Sequence, residues 1–296
     1  MDEPGLLTER FEEQRPRLRA VAYRMLGSLS EADDAVQEAW LRLNRADAGG
    51  VDNLAGWLTT VVARICLNML RSRQRRHEEP LDVRMPDPVI GPADGRDPEH
   101  EALLADSVGL ALLVVLESLA PAERLAFVLH DMFAVPFEDI AGLLERSPEA
   151  TRQLASRARR RVQGQAPTPD PDLARQREVV DAFFAASRDG DFDALVAVLD
   201  PDVVLRSDGG PSRPRLNMVV RGAASVAQQA WISKSLSPYV RPALVNGTPG
   251  VVVVVHGRPF VVMAFTVAGG RIATIDVLGD PDRLAGLDLS VLDAGL

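Results

Sequence analysis

The stretch 136–162, PFEDIAGLLERSPEATRQLASRARRRV, predicts a short helix, a tight turn and a second, strongly basic helix. Ser147 is placed to cap the second helix, and Pro148 suits its first position, where the missing N–H leaves no bond unmade. Ala150, Leu154, Ala158 and Val162 recur every four residues and predict one apolar face. Arg152, Gln153, Ser156, Arg157, Arg159, Arg160 and Arg161 cover the rest, and no acid falls between Ala150 and Ala166. A solvated surface helix usually mixes both charge signs. An apolar back and an arginine front after a tight turn suit a helix that enters the major groove of DNA.

Total charge argues the other way until it is read locally. The 296 residues carry 42 acids against 33 bases, a net charge of −9. Residues 1–165 alone hold 21 arginines and 27 acids. The positive charge is concentrated in 150–166 and in 63–76, where Arg64, Arg71, Arg73, Arg75 and Arg76 occur with no acid. An acidic chain with two basic helices is repelled from DNA except where those helices dock, which favours a guided binder over a coating protein.

Nearly half the residues are hydrophobic, enough for two or three cores. Apolar runs are short, Val251–Val255 having the length of a strand, so no membrane span or signal-peptide core is expected. The one cysteine, Cys66, reads as a small core residue. The four histidines, at 77, 100, 130 and 256, lack metal-ligand spacing, so no metal is expected.

Working outward, residues 8–46 predict two helices. Phe11, Leu18, Val21, Ala22, Met25 and Leu26 form the stripe of the first. The second starts at Ser30, with Val36, Trp40, Leu41 and Leu43 inward. Its early acids Glu31, Asp33 and Asp34 suit a helix N-terminus, and with Gln37 and Glu38 they equally suit a protein partner. A long helix runs from about Leu54 to Arg76. Trp57 near its start reads as core, or as a platform for unstacked bases. Residues 77–98 are rich in proline and acid, so no regular core element is expected there; the stretch RMPDPVIG can still pack. Further helices follow over 99–133. After the proline-rich break at 165–173 come helices at 173–188 and from Asp189, a strand at Val203–Ser207, a helix at 222–234, and strands at 240–245, 251–256, 260–267 and 272–278. Turns at Asn246-Gly247, His256-Gly257 and Gly269-Gly270 predict an antiparallel meander that encloses a pocket.

The ordered set of segments resembles a known family. FEEQRPRLRAVAYRMLGS and SEADDAVQEAWLRLN are similar to the first helices of bacterial extracytoplasmic-function sigma factors. LAGWLTTVVARICLNMLRSRQRR is similar to their minus-ten reading segment, and residues 119–162 to their minus-thirty-five domain. Residues 172–284 resemble a SnoaL-like domain of the NTF2 cone fold, and the combination resembles the SigJ type, which carries such an extension. The resemblance implies a multi-domain chain: two all-α sigma domains, the second with the helix-turn-helix, then an α+β cone. It implies region 2 at 1–77, a linker at 78–98, region 4 at 99–165, a linker at 166–172, the SnoaL-like domain at 173–284 and a tail at 285–296.

The resemblance also implies roles. Asp33, Asp34, Gln37 and Glu38 match the helix that binds the β′ clamp of core RNA polymerase, and region 4 would meet the β flap. Arg64, Asn68, Arg71 and Arg73 match the face that meets the melted minus-ten element; Asp52 and Asn53 fall in the loop that holds a flipped base. Arg152, Gln153, Ser156 and Arg157 match base- and phosphate-facing positions of the minus-thirty-five helix. Arginine can fork onto guanine and glutamine onto adenine, whereas Arg159, Arg160 and Arg161 suit phosphates. Met85-Pro86-Asp87-Pro88, Asp208-Gly209-Gly210 and Asp280-Pro281-Asp282-Arg283-Leu284 resemble motifs where the extension meets the sigma core; Pro211 replaces a third glycine. Ordinary turns would explain the same residues. The expected protein is a cytoplasmic, promoter-specific sigma factor with no catalytic residue, cofactor or metal, regulated by its own C-terminal domain without a separate anti-sigma factor. The chain beyond Leu278 would tune the effect.

Two other classes stay open. SnoaL-like domains include enzymes, for which Asp208, His256 and Asp276 are the polar candidates, although each reads as a turn or edge residue and no acid–base pair emerges; a pocket there could instead bind a small ligand. A simple helix-turn-helix regulator would leave the second arginine helix and the acidic helix without a purpose.

Overall fold

A computed structural model describes residues 3–45, 53–75, 84–93, 109–290 and 292. The chain forms two compact units, residues 1–79 with 115–165, and residues 80–114 with 166–296.

The first unit is helical. Helices α1 (Glu3–Leu26), α2 (Leu29–Arg45) and α3 (Leu54–Arg75) pack together. The expected α1 stripe is buried from Phe11 to Leu26, and Cys66 is fully buried on α3. Burial pushes the Cys66 thiol up to about 12, against the opposing effects of Arg124 and a backbone hydrogen bond. Helix α2 starts earlier than expected, with the Ser28 hydroxyl facing the Glu31 N–H at 3.5 Å. Trp40 is half-buried against Phe11, but Leu41 is 41% exposed and not inward.

After α4 (Leu110–Glu117) and α5 (Pro121–Phe127), the helix widens by one residue per turn over Val128–Met132. The buried Arg124 donates to the Arg24 carbonyl at 3.0 Å and to Glu117 at 2.9 Å, joining α1 to the α4–α5 pair. Helices α6 (Phe137–Leu144) and α7 (Pro148–Gln165) make the helix-turn-helix. Glu145 ends α6 in the left-handed conformation, and the Ser147 hydroxyl accepts from Ala150 N–H at 3.2 Å, the expected cap. The buried residues of α7 are Thr151, Leu154, Ala155 and Ala158, while Ala150 and Val162 are half-buried.

The second unit packs helices against a curved sheet. Helix α8 (Leu173–Asp189) is capped by Asp172, whose carboxylate accepts from Ala174 N–H and Arg175 N–H. Gly190 ends it at φ 73°, and Asp191 caps α9 (Phe192–Val198) at once, so two adjacent residues close one helix and open the next. The strands are β1 (Ile90–Gly91), β2 (Leu199–Asp208), β3 (Met218–Arg221), β4 (Val240–Val245), β5 (Thr248–Val255), β6 (Arg258–Ala268) and β7 (Arg271–Leu278), with α10 (Ala223–Ile232) before β4 and α11 (Pro281–Ala285) after β7. Their order is β1-β4-β5-β6-β7-β2-β3. Asn246-Gly247, His256-Gly257 and Gly269-Gly270 all have positive φ, as tight hairpins require, and form the expected meander.

Three features depart from expectation. β2 lies parallel to β7, and β3 joins beyond it. The proline-rich stretch supplies β1, whose Ile90 and Gly91 pair with Val245 and Leu244. Asn246 clasps the same stretch, donating its N–H to the Val89 carbonyl at 2.8 Å and accepting from Val89 N–H at 3.1 Å. Phe265 is fully buried between Phe183 and Phe184, 5.7 Å from each ring, and one such burial stabilises by about 1.5–3 kcal/mol.

Candidate functional site

Four groups of side chains carry the chemistry, three on the helical unit. On α2, Asp34, Gln37, Glu38 and Leu41 fall at i, i+3, i+4 and i+7, one face of a helix. Asp34 and Gln37 are exposed and Glu38 is half-buried, 2.9 Å from Arg42. Asp33 lies beside them, held by Arg19 at 2.6 Å. An exposed leucine among acids and an amide suits a protein partner with basic and apolar groups. Leu41 was missed by sequence reasoning because its apolar side chain was assigned to the core.

On α3, Arg64, Asn68, Arg71 and Arg75 are exposed at successive spacings of four, three and four, a single stripe. Arg73 is not on it. Its guanidinium is ion-paired with Glu31 and donates to the Leu26 carbonyl at 3.3 Å, so it ties α3 to the end of α1 and the start of α2. Asn53 caps α3, its side-chain oxygen accepting from Gly56 N–H at 2.9 Å. Trp57 is half-buried in the first turn. Asp52 lies outside the described residues.

On α7, Arg152, Gln153, Arg157 and Arg160 are exposed, with half-buried Ser156 between them. The local sequence lacks acids, but the fold brings acids to it. Arg152 meets Glu138 at 3.0 Å and lies over the Phe137 ring. Arg159 meets Asp131 at 2.8 Å, and Glu123 faces Arg157 at 3.5 Å and Arg161 at 3.7 Å. Exposed pairs of this kind are weak and exchange readily for phosphate. The Arg160 Nε approaches the Ser156 carbonyl at 3.5 Å.

The fourth group lies in the second unit, where the three short motifs converge on Arg283. Arg283 Nε donates to Asp87 at 2.8 Å, Nη2 to the Met85 carbonyl at 2.6 Å and Nη1 to Asp208 at 3.0 Å. The same Asp208 carboxylate accepts from Met85 N–H at 2.9 Å and Gly210 N–H at 3.0 Å. Met85, Pro86 and Pro88 are buried and Asp87 is half-buried, so the RMPDPVIG stretch packs, as its sequence allowed. Asp280 caps α11, accepting from Asp282 N–H at 3.0 Å, so Pro281 can open the helix and Leu284 is buried. Gly210 adopts φ 62°, and a Cβ there would lie 2.1 Å from the Asp280 carboxylate. A Cβ on Gly209 would lie 2.2 Å from the Arg213 carbonyl. Pro211 is exposed and needs no positive φ, which explains why the third glycine is dispensable.

The two acids read as turn or edge residues are neither. Asp208 is buried in the motif cluster, and Asp276 is 1% exposed within β7, paired with Arg206 at 3.0 Å. Burial raises the Asp276 pKa, and Arg206 opposes that rise. His256 sits in a hairpin turn at φ 51°. Among the described residues, no group of His, Cys, Asp and Glu could hold a metal ion, and no helix is long and apolar enough to cross a membrane.

Comparisons with known proteins match this layout. Residues 10–76 match the Sigma-70 region 2 model and residues 109–162 the Sigma-70 region 4 model. The chain is 39% identical over 295 residues to the ECF RNA polymerase sigma factor SigJ of Mycobacterium tuberculosis, covering 94% of this chain and 93% of that protein. It is 37% identical over 273 residues to the probable ECF RNA polymerase sigma factor SigI of the same species, covering 91% and 92%. The crystal structure of the M. tuberculosis SigJ superposes with a TM-score of 0.77 at 36% identity, covering 95% of this chain and 99% of that one.

Proposed function

This chain belongs to the extracytoplasmic-function RNA polymerase sigma factors, and we propose that its exposed faces divide the work of promoter recognition while its C-terminal unit regulates it. It is an alternative sigma factor that directs transcription initiation. In our reading, region 2 spans 1–77 and region 4 spans 99–165. The α2 face of Asp33, Asp34, Gln37, Glu38 and Leu41 docks on the core polymerase β′ clamp, and region 4 meets the β flap. The α3 stripe of Arg64, Asn68, Arg71 and Arg75 meets the melted minus-ten strand, and Asp52 and Asn53 belong to the stretch that holds a flipped base. Arg73 contributes by bracing α3. Arg152, Gln153, Ser156 and Arg157 read the minus-thirty-five element, and Arg160 neutralises phosphate. Each well-made bidentate base contact discriminates by about 1–3 kcal/mol.

The observation that carries the regulatory reading is the Arg283 cluster. It fastens residues 85–91, which lie between the two sigma regions in sequence, onto the C-terminal unit. A linker held this way is not free to adjust the spacing of the two DNA-reading regions, and both must engage one promoter together. The C-terminal unit thereby takes the part of a separate anti-sigma factor. It has no catalytic role, since Asp276 is neutralised by Arg206 and Asp208 is engaged by Arg283. The protein works in the cytoplasm beside the polymerase.

In vitro transcription with core polymerase tests this. The full chain, a chain ending at Gln165, a chain ending at Leu278 and Arg283→Ala would be compared on the protein's own upstream region and genomic fragments. Loss of the residues beyond Leu278 removes Arg283, so that truncation and Arg283→Ala should change transcript yield in the same direction. Equal yields from all four would sink the regulatory reading, and no core-dependent transcript from any would sink the surface assignments.

A further inference from the structure

Between the concave face of the sheet and helices α8 and α10 lies a cavity of about 140 Å³. Phe183, Phe184, Leu205, Val253, Met263 and Ile275 give it an apolar wall. Among the described residues, no acid, base, cysteine or tyrosine lines it. Ser187 on α8 and Ser207 on β2 interrupt the apolar wall, and each is more than nine-tenths buried. Neither hydroxyl makes a hydrogen bond among the described residues, and both line the cavity. Exposed Ser233 and half-buried Gln229 and Ser237 stand at the α10 side.

We propose that this cavity is a binding site for a small uncharged molecule, about one aromatic ring in size, that carries a hydroxyl group. Size follows from the volume, since an apolar cavity of about 150 Å³ accepts benzene. Charge is excluded because an ion would lose its hydration with no counter-charge in the wall. A hydroxyl is required because a purely apolar molecule would leave both serines unpaired, whereas one hydroxyl can donate to one and accept from the other. A water bridging the two serines would leave the apolar remainder of the cavity unfilled. The ligand is bound and not converted, since the wall holds no general acid or base. The cavity shares no lining residue with the α2, α3 and α7 faces or with the Arg283 cluster.

Titration calorimetry on the full chain tests the proposal with phenol, toluene and benzoate as probes. Phenol should bind at one per chain, toluene at least about fivefold more weakly, and benzoate not at all. Ser187→Ala and Ser207→Ala should each weaken phenol by about fivefold and narrow the gap to toluene. Ala230→Phe, at a half-buried lining position on α10, should abolish binding by filling the space while the folded sheet signal persists. Failure of phenol to bind the wild-type chain overturns the proposal. So does phenol binding unchanged in Ala230→Phe, or benzoate binding as tightly as phenol.

Discussion

Replacing Arg283 by alanine removes an α11 side chain that meets both the linker and the β2 end. The arginine is 23% exposed, and its partner Asp208 is 3% exposed. Removing one member of a buried pair costs about 3–5 kcal/mol, because the other charge stays desolvated. The partial exposure of Arg283 and the two backbone donors left to Asp208 reduce this to roughly 2–4 kcal/mol. For a unit of this size that corresponds to a fall of about 6–15 °C in Tm. The assay is thermal unfolding of the full chain, followed by the sheet signal, with hydrogen exchange at the Met85 amide, which donates to Asp208. The Met85 amide should lose protection more than the core of β6. Asp87→Asn should cost less, since Arg283 would keep Asp208, and a double-mutant cycle should show coupling between Asp87 and Arg283. A Tm change below about 2 °C with Met85 still protected would refute the reasoning.

Leu41→Ala should weaken binding to core polymerase by about fivefold or more while leaving Tm nearly unchanged, because the side chain is exposed in the free chain; fluorescence binding and melting curves check both. Arg160→Ala should lower the salt slope of promoter binding by about 1, and Arg159→Ala, already engaged by Asp131, should lower it less. The buried Cys66 thiol, pushed up to about 12, should react with an aromatic disulfide reagent at pH 8 only at the rate of unfolding. The Asp170 carboxylate accepts from Gly269 N–H and Gly270 N–H at 2.8 Å each, and these bonds hold its pKa below 3.8. Its contribution is therefore present above that unfolded value and lost as pH falls through the lower folded one; Asp170→Asn should flatten part of the acid limb of a Tm–pH curve.

Local pattern carried the helices, the hairpin turns and the caps at Ser147 and Pro148, because each depends on neighbours in sequence. It failed where the determinant is distant. The α7 face drifted because a strict four-residue step advances 400° and slips by 40° each time, so Ala150 and Val162 sit at the margins of the real stripe of Thr151, Leu154, Ala155 and Ala158. Leu41 was assigned inward on hydrophobicity alone, although the chain's surface retains apolar groups where partners bind. The acids that engage Arg159 and Arg73, Asp131 and Glu31, lie 28 and 42 residues away and only the fold reveals them. The parallel pairing of β2 with β7, the β1 strand in the proline-rich stretch and the burial of Asp208 and Asp276 have the same origin.

The Arg283 cluster also imposes an order in time. Arg283 follows Asp87 by 196 residues. At about 5–20 residues per second, the ribosome makes the linker roughly 10–40 s before it makes the arginine that fastens it. Both DNA-reading helices are complete before the clasp exists. Each newly made molecule therefore passes through a stage in which helices α3 and α7 have been synthesised and the linker is still unfastened.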